Sequence, residues 1–216
     1  MKKIIALFDL DCTLIDADSE EMWIKFLFRR GLVDRSLVET IENFYKDYET
    51  GNLDFTAYED FLLSSLVSIP TKDLGVLKKA YLEEVNATIR PWMMRLVNWH
   101  REQGHELLLI TAAVDFLAGG IAKKLQFKNI ICTRTEKSQG KFTGKIVGEP
   151  AFQVGKVSLL ADWLSERQMT LEGSWGYSDS YYDLPLLNIV ENPVAVKPDA
   201  RLRNHARLHD WRLLEE

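Results

Sequence analysis

Short apolar runs that alternate with helical patterns constrain the fold of this chain most strongly. Five runs have the length of a buried strand and are bounded by Gly, Pro, Asn or charged residues: KIIALF (3–8), HELLLIT (105–111), KNIICT (128–133), GSWGYS (173–178) and NPVAVK (192–197). Helical patterns occupy three stretches between these runs: 91–104, 114–125 and 155–168. Strands that alternate with helices predict an α/β fold, a Rossmann-like doubly wound parallel sheet with helices on both faces.

Residues 17–88 contain no strand-like run and carry four helical patterns instead. Three side chains are suited to begin such helices as N-caps: Ser19, Asp54 and Thr71. We therefore expect an α/β core domain made of 1–16 and 89–216, with an all-helical cap domain of 17–88 inserted after the first strand. The spaced glycines and β-branched residues of 140–149 further predict a small hairpin.

The composition is that of an ordinary globular protein, with 46% hydrophobic residues and a formal net charge of −5. This charge argues against a nucleic-acid-binding face, which would normally be basic. The two cysteines, Cys12 and Cys132, have no metal-ligand spacing and fit a reducing compartment. The first apolar run stops at Asp9, too early for a signal peptide, and no run approaches the roughly eighteen residues of a membrane span. We expect a cytoplasmic monomer or homodimer that acts on a small molecule, without nucleic acid or membrane partners.

Polar side chains stand where the predicted strands end, and four of them are aspartates. Asp9 and Asp11 follow the first strand, and residues i and i+2 of an extended chain point the same way, so both carboxylates can face one pocket. Asp179 follows the fourth run, and Asp183 comes four residues later, on the next helical turn. Because ligands bind at the carboxyl ends of the strands in an open parallel sheet, we expect these four side chains to meet.

Thr111 and Lys156 complete the set at the same edge of the sheet. We expect Thr111 to end the second strand and begin a helix, so that its hydroxyl and the N–H groups from Ala112 onward could hold an anion. Lys156 supplies one positive charge against four carboxylates. Like charges at roughly 4–6 Å need a cation, and Mg²⁺, held by one or two carboxylates and a substrate phosphate, fits this need. One aspartate could then act as nucleophile and a second, two residues on, as general acid and base.

These residues resemble the motifs of the haloacid dehalogenase superfamily of phosphohydrolases. Its first motif, D-x-D-x-T after a strand, stands here as DLDCT (9–13). Its second and third motifs are matched by Thr111 and Lys156, and its fourth by the acidic pair Asp179 and Asp183. The resemblance covers nearly the whole chain. It is strongest with the phosphoserine phosphatase-like branch. The stretches GKFTGKIVGEPAFQVGKV (140–157) and NPVAVKPDARLRNHA (192–206) resemble a bacterial subgroup that contains histidinol-phosphate phosphatases and less defined phosphomonoesterases.

The resemblance implies a phosphomonoesterase that hydrolyses a small phosphorylated metabolite through an aspartyl-phosphate. Asp9 is then the nucleophile and Asp11 the acid and base, with Lys156 as a further catalytic and phosphate-binding residue. It implies Mg²⁺ as cofactor, held by Asp9, the Asp11 carbonyl and Asp179. Asp183 lies close to the metal in this scheme, through water or through Lys156.

Two positions depart from the phosphoserine enzymes, and both touch the substrate pocket. Thr-Ala-Ala (111–113) replaces their usual Ser-Gly-Gly, and Asp18 replaces a Glu that faces the substrate's ammonium. We therefore expect Asp18 to bind a cationic leaving group, with histidinol phosphate preferred over phosphoserine. The alternative role of Asp18 is to help cap the first cap helix beside Ser19. Asp16 has no assigned role.

The segment 17–88 lies outside the core motifs, which leaves it free to control access and specificity. We expect a mobile cap that closes over the site, excludes water and positions the substrate, with joints near 15–17 and 88–91. Most of its many aromatic side chains are expected to form the core of the helical bundle, and one or two are expected to line the pocket.

Three other functions would use similar residues. A phosphotransferase would replace water by an alcohol in the second step, and the motifs do not separate it from a hydrolase. A receiver-like protein also has an acidic Mg²⁺ pocket and a Lys, but receivers are much shorter and lack so long an insertion. A non-catalytic phosphate-binding protein is disfavoured by the intact Asp11.

Overall fold

The computed structural model describes residues 3–216 and contains eight strands. In chain order they are β1 (Ile5–Phe8), β2 (Glu106–Val114), β3 (Asn129–Thr133), β4 (Thr135–Ser138), β5 (Lys141–Ile146), β6 (Trp175–Ser178), β7 (Asn192–Val196) and β8 (Arg212–Leu214). Six of them form one parallel sheet in the order β3-β2-β1-β6-β7-β8, whereas β4 and β5 pair as an antiparallel hairpin.

Nine α-helices accompany these strands in the described part of the chain. They are α1 (Ser19–Arg29), α2 (Arg35–Thr50), α3 (Phe55–Ser68), α4 (Thr71–Val85), α5 (Pro91–Glu102), α6 (Asp115–Lys124), α7 (Val154–Arg167), α8 (Leu184–Leu187) and α9 (Ala200–Leu208). Five helices, α1–α5, separate β1 from β2, and the first four of them form the inserted segment. Strands and helices alternate thereafter, except that β3, β4 and β5 follow one another directly. The predicted fold class, a doubly wound parallel sheet with an inserted helical segment, is confirmed.

Strand β1 shows why the sheet is covered on both faces. Ala6 and Phe8 belong to a large hydrophobic cluster on one face, whereas Ile5 and Leu7 belong to a second cluster on the other. All four side chains are fully buried. Because successive side chains of a strand alternate between faces, one short apolar run serves both helical layers.

The strand order reverses between β1 and β6. The chain passes from β1 to β2 and β3 on one side, then returns to β6, β7 and β8 on the other. A crevice opens at such a switch point, outside the carboxyl ends of the strands. The Asp9 N–H donates to the Tyr177 carbonyl at 2.9 Å, so β1 and β6 are still joined at the start of this crevice.

The two connections between α1–α4 and the sheet lie side by side. Ile15 and Ile89 pair as an isolated antiparallel bridge, and the Arg90 guanidinium donates to the Asp16 carboxylate at 2.6 Å. Asp16, which had no role in the sequence analysis, therefore ties the two connections together. They coincide with the predicted joints, and their mobility stays a prediction.

Apolar contacts run without interruption from the sheet into the helical segment. The Trp23 ring of α1 meets the rings of Tyr81 in α4 and Phe116 in α6 edge-on, at centroid distances of 5.4 and 5.5 Å. All three belong to the same hydrophobic cluster as Phe8 of β1. The division into core and cap domains remains a prediction, and these contacts indicate that α1 and α4 pack firmly against the core.

The predicted helix caps are partly wrong. Asp18, and not Ser19, is the N-cap of α1, because its carboxylate reaches the N–H groups of the first turn. Helix α4 begins at Thr71 itself, without a side-chain cap. Asp54 caps α3 as predicted.

The hairpin and the last strand also differ from the sequence prediction. The hairpin occupies 135–146 and not 140–149, because its turn lies at Gln139 and Gly140, which both have positive φ. Strand β8 pairs with β7, although its short sequence gave no strand signal. No helix within residues 3–216 combines the length and apolar character needed to cross a membrane.

Candidate active site

All eight residues predicted for the site line one cavity of about 100 Å³. They are Asp9, Asp11, Asp18, Thr111, Ala112, Lys156, Asp179 and Asp183. The cavity lies at the carboxyl ends of β1, β2 and β6, which are neighbours in the sheet, and residues of α1, α2 and α3 line its other side. Its position agrees with the rule that ligands bind where the strand order reverses.

Lys156 is the centre of an ionic network with Asp9, Asp183 and Ser178, and this part of the cavity is called here the floor. Its Nζ lies 2.8 Å from Asp9 Oδ1 and 2.7 Å from Asp183 Oδ2, and Ser178 Oγ donates to the same Asp183 oxygen at 2.7 Å. Burial opposes the charge of the ammonium, but Asp183 and Asp9 raise the pKa of Lys156 above its usual value. Lys156 therefore stays protonated and holds Asp9 in place.

Gly155 allows the start of α7 to bring Lys156 into this network. A Cβ at Gly155 would lie 2.1 Å from the carbonyl oxygen of Pro150, which is too close for any other residue without movement of the backbone. The glycine is thus required by the close approach of two backbone segments, and it places the next side chain at the cavity floor.

Asp9 and Asp11 share the cavity, as their spacing predicted. Strand β1 ends just before Asp9, and the turn that carries Asp11 passes through Cys12, whose φ is 53°. Asp11 Oδ1 accepts the Ser19 N–H at 2.7 Å, and its Oδ2 accepts the Thr111 hydroxyl at 3.4 Å. The N-terminus of α1 therefore orients Asp11.

The two carboxyl groups differ in their tendency to hold a proton. Burial raises the pKa of Asp9 to about 6, although Lys156 counteracts the shift. Burial and the charges of Asp18 and Asp9 raise the pKa of Asp11 well above its usual value. Near neutral pH, Asp9 is therefore suited to act as an ionised group and Asp11 as a protonated one.

Asp179 brings a third carboxylate to the floor. Its Oδ1 accepts the hydroxyl of Thr13 at 2.8 Å, which joins the first and last motifs of the sequence. Burial and the charge of Asp9 raise the pKa of Asp179 well above its usual value. In all, seven carboxyl groups and one lysine, Lys156, line the cavity. Such an excess of hard oxygen donors fits a divalent cation.

The side chains alone do not complete a metal site. Within residues 3–216, no three His, Cys, Asp or Glu side chains are grouped closely enough to hold an ion. The ligand set implied by the family resemblance avoids this difficulty, because it combines Asp9 and Asp179 with the backbone carbonyl of Asp11. A substrate oxygen and water would supply the remaining positions.

Thr111 faces the cavity, but it does not begin a helix. Strand β2 continues to Val114, α6 begins at Asp115, and the register with β3 is irregular between Ile110 and Val114. The prediction of helix N–H groups directly after Thr111 is therefore wrong. The apolar run extends through the buried Ala113 and Val114, so the strand does not stop at the first polar residue. The irregular stretch 111–114, called here the 111–114 segment, takes the place of the expected helix start.

Asp18 has the structural role that was its alternative in the sequence analysis. Its Oδ1 accepts the N–H groups of Glu20 at 2.9 Å and Glu21 at 2.7 Å. Asp18 also lines the cavity, and burial raises its pKa. Its capping role is confirmed, whereas a contact with substrate stays a prediction.

An aromatic wall closes the cavity on the side of the helical segment, and it contains more rings of this segment than the one or two that were predicted. It comprises Phe44, Tyr45, Tyr48, Phe55, Tyr58, Phe152 and Tyr182. Phe55 stacks on Phe152 with a centroid distance of 4.0 Å, and Tyr48 lies 4.7 Å from Tyr182. Five of these rings come from α2 and α3, whereas only one or two aromatic side chains of 17–88 were expected to line the pocket.

Known proteins resemble this chain over nearly its full length. A histidinol-phosphatase from Neisseria meningitidis serogroup C (strain 8013) is 38% identical over 218 residues, which cover 98% of each chain. A phosphoserine phosphatase from Mycobacterium tuberculosis (strain ATCC 25618 / H37Rv) is 30% identical, over 96% of this chain and 69% of its own.

A solved structure is similar over the full length. The crystal structure of a protein with unknown function from Bordetella pertussis Tohama I has a TM-score of 0.91 and 30% identity, over 100% of this chain and 99% of that chain. The family model of haloacid dehalogenase-like hydrolases matches residues 6–188, which include every predicted site residue. This chain therefore belongs to the haloacid dehalogenase-like hydrolase family, as its motifs predicted.

Proposed function

We propose that this chain is a Mg²⁺-dependent phosphatase that hydrolyses a small phosphomonoester through an aspartyl-phosphate on Asp9. The observation that supports this most directly is the contact of Asp9 with Lys156, at 2.8 Å, on the floor of a cavity that Asp11 also lines. The candidate nucleophile, a fixed cation and a carboxyl group with a raised pKa therefore share one cavity.

In the first step, a carboxylate oxygen of Asp9 attacks phosphorus, and the bond from phosphorus to the substrate's alcohol oxygen breaks. Lys156 holds Asp9 in position and offsets negative charge near the reacting oxygens. Asp11, with its raised pKa, donates its proton to the leaving oxygen, so that a neutral alcohol departs.

In the second step, Asp11 is a carboxylate and acts as base. It takes a proton from a water molecule as the water oxygen attacks phosphorus, and the bond between phosphorus and Asp9 breaks. Inorganic phosphate leaves, Asp9 is again a free carboxylate and Asp11 is again protonated. The Ser19 N–H, 2.7 Å from Asp11, keeps this group oriented through both steps.

Asp9, the Asp11 carbonyl and Asp179 would hold the Mg²⁺ ion. When bound, the ion supplies positive charge that stabilises the phosphoryl oxygens during transfer. The cavity is lined by seven carboxyl groups and only one lysine, and this excess of carboxyl groups supports the assignment. Asp183 is better suited to act through Lys156, since the ammonium and the Ser178 hydroxyl already engage its carboxylate.

We further propose a leaving group that carries an amine or an imidazole, with histidinol phosphate preferred over phosphoserine. The relative from Neisseria meningitidis, with 38% identity over nearly the full length of both chains, is a histidinol-phosphatase. Asp18 and the aromatic wall lie in the same cavity, and cations are attracted both to carboxylates and to aromatic faces.

A phosphate-release assay tests this proposal. The panel contains histidinol phosphate, phosphoserine and an uncharged aryl phosphate, each with Mg²⁺, with excess chelator, and with Mg²⁺ restored. We expect the highest kcat/KM on histidinol phosphate, no activity in chelator and recovery with Mg²⁺; Ca²⁺ should inhibit, since its looser shell misplaces Asp9. Full activity in excess chelator would contradict the metal dependence. Release from none of the esters by a folded, Mg²⁺-loaded protein would contradict the phosphatase itself.

A further inference from the structure

Glu20 is a buried carboxyl group that the proposed mechanism does not use. It lies in the first turn of α1, is 5% exposed and lines the cavity beside Asp18. In the sequence it looks like an ordinary first-turn acid, which is common because negative charge is favourable at a helix N-terminus. A surface acid of that kind would be solvated, whereas a buried carboxyl group requires partners.

The two oxygens of Glu20 contact two different parts of the molecule. Oε1 accepts the N–H of Val114, at the end of β2, at 2.8 Å. Oε2 accepts the hydroxyl of Tyr58, in α3, at 2.5 Å. One side chain of α1 therefore connects a strand end of the sheet with a helix of the inserted segment.

The strand end that Glu20 contacts is the 111–114 segment. Its register with β3 is irregular, so the regular ladder of a parallel strand does not fix it throughout. Within the segment, the Ala113 N–H donates to Thr111 Oγ1 at 3.1 Å, and this hydroxyl in turn lies 3.4 Å from Asp11 Oδ2. The bond from Val114 to Glu20 anchors the far end of the same segment.

We propose that Glu20 is a positioning residue that fixes the 111–114 segment in the geometry that binds phosphate, with Tyr58 of α3 holding Glu20 in place. The inference rests on the proposed function, in which this segment faces the phosphate group. It makes phosphate binding dependent on the inserted helices, because displacement of α3 removes the contact of Tyr58 with Glu20.

A negative charge on Glu20 is not required for this role. Burial and the nearby charge of Asp18 raise the pKa of Glu20 to about 8. The geometry requires one acceptor toward Val114 and one hydrogen-bonding atom toward Tyr58. Glutamine provides both, because its amide oxygen can accept from Val114 and its NH₂ group can donate to the Tyr58 hydroxyl oxygen.

Three single variants, one double variant and a matched control test the proposal. The single variants are Glu20→Ala, Glu20→Gln and Tyr58→Phe, the double variant combines Glu20→Ala with Tyr58→Phe, and the control is Glu59→Gln. Glu59 is a suitable control because it is also a buried carboxyl group, 8% exposed, next to Tyr58 in α3, and its Oε1 has no partner among the described residues. Affinity for inorganic phosphate is measured by calorimetry on the Mg²⁺-loaded protein. kcat/KM is measured on an aryl phosphate, and exchange of the Val114 amide proton is followed by NMR.

Glu20→Ala should lower phosphate affinity and kcat/KM about 10- to 100-fold and accelerate exchange of the Val114 amide proton. In Glu20→Gln, phosphate affinity and kcat/KM should stay within about threefold of wild type. Tyr58→Phe should lower phosphate affinity about three- to tenfold. The double variant should bind phosphate little more weakly than Glu20→Ala alone, since the two side chains act in one chain of contacts. Glu59→Gln should leave all three quantities unchanged.

Two results would overturn the proposal. One is a Glu20→Ala variant whose phosphate affinity and Val114 amide exchange equal those of wild type. If that variant does not fold, an unchanged phosphate affinity in Tyr58→Phe would overturn the proposal instead. The other is a Glu20→Gln variant that binds phosphate as poorly as Glu20→Ala while its Val114 amide stays protected, because the charge itself would then matter. Phosphate affinity and amide exchange do not require turnover. If wild type binds phosphate but hydrolyses no ester, the proposed function is refuted. Phosphate affinity and amide exchange would still decide the role of Glu20.

Discussion

The floor of the cavity and its aromatic wall are built from different interactions. On the floor, the Lys156 ammonium lies 2.8 Å from Asp9 and 2.7 Å from Asp183. The buried lysine and the two buried carboxylates compensate one another's charges. On the wall, rings pack against rings, as Phe55 does on Phe152 at 4.0 Å. The wall spans two parts of the chain, since it combines rings from α2 and α3 with rings from the loops of the sheet.

This difference predicts unequal tolerance to change. Removal of one partner from a buried ion pair leaves an uncompensated charge, at a cost of about 3–5 kcal/mol. An aromatic pair contributes only about 0.5–1.5 kcal/mol beyond the area that it buries. We therefore expect substitutions on the floor to abolish function, and substitutions on the wall to alter substrate preference by modest factors.

The largest effect is expected for Asp9→Asn. The change is nearly isosteric but removes the nucleophilic oxygen, so turnover should fall by at least about 1000-fold while the fold is kept. Brief exposure of wild type to ³²P-labelled substrate, followed by acid quench, should trap an acyl phosphate that the variant does not form. Turnover of the variant within tenfold of wild type, at equal thermal stability, would show that the covalent mechanism is wrong.

Lys156→Met should combine loss of activity with loss of stability. Without the ammonium, Asp9 and Asp183 are left buried with no compensating cation, and the free energy of unfolding should fall by about 3–5 kcal/mol. Urea unfolding monitored by circular dichroism measures this change. Lys145→Met, at an exposed position in β5, is the matched control and should change stability by less than about 0.5 kcal/mol. Equal stability of the two variants would mean that the floor does not depend on its charge balance.

The floor could be predicted from the sequence because its residues stand directly at strand ends. Asp9 follows β1 and Asp179 follows β6, so once the parallel sheet was predicted, their meeting followed from the strand order. The helix start at Thr111 was predicted wrongly because a short apolar continuation, through Val114, reads equally well as strand or helix.

The wall could not be predicted in the same way. Which rings of α2 and α3 face the cavity depends on how these helices pack on the sheet, and an aromatic residue in a bundle has the same sequence signal in either position. Phe152 lies in a loop and Tyr182 in the short 3-10 helix Tyr181–Asp183, and neither segment is long enough to show a periodic pattern. The contact of Glu20 with Val114 joins residues 94 positions apart, and only the tertiary structure brings them together.

Asp18→Asn tests whether the Asp18 carboxylate, which lines the cavity together with the floor and the aromatic wall, binds a cationic substrate. Asparagine can still cap α1 through its side-chain oxygen, so the helix should be kept while the negative charge is lost. A charge-assisted hydrogen bond is worth roughly 1.5–3 kcal/mol, so kcat/KM on histidinol phosphate should fall about 10- to 150-fold, with little change on an uncharged aryl phosphate. Equal losses on both substrates, or none on either, would assign Asp18 a structural role alone.

The smallest effect is expected for Tyr48→Phe, which tests whether the wall also fixes the floor. The Tyr48 hydroxyl is hydrogen-bonded to Ser180 Oγ, in the loop between Asp179 and Asp183, while its ring rests against Tyr182. Phenylalanine keeps the ring and loses only the hydrogen bond, which is worth about 1 kcal/mol, so KM should rise about fivefold with kcat nearly unchanged.

A double-mutant cycle with Ser180→Ala separates this contact from the other role of Ser180. The Ser180 hydroxyl also accepts the Tyr182 N–H at 3.1 Å, so Ser180→Ala alone has a cost that is independent of Tyr48. If the hydrogen bond between the two hydroxyls aids substrate binding, Tyr48→Phe should raise KM in wild type and have little further effect in Ser180→Ala. Fully additive effects would mean that the wall contacts the substrate without fixing the Asp179–Asp183 loop. A fall in kcat in place of the rise in KM would instead mean that this hydroxyl supports the chemical step, and the division between floor and wall would no longer hold.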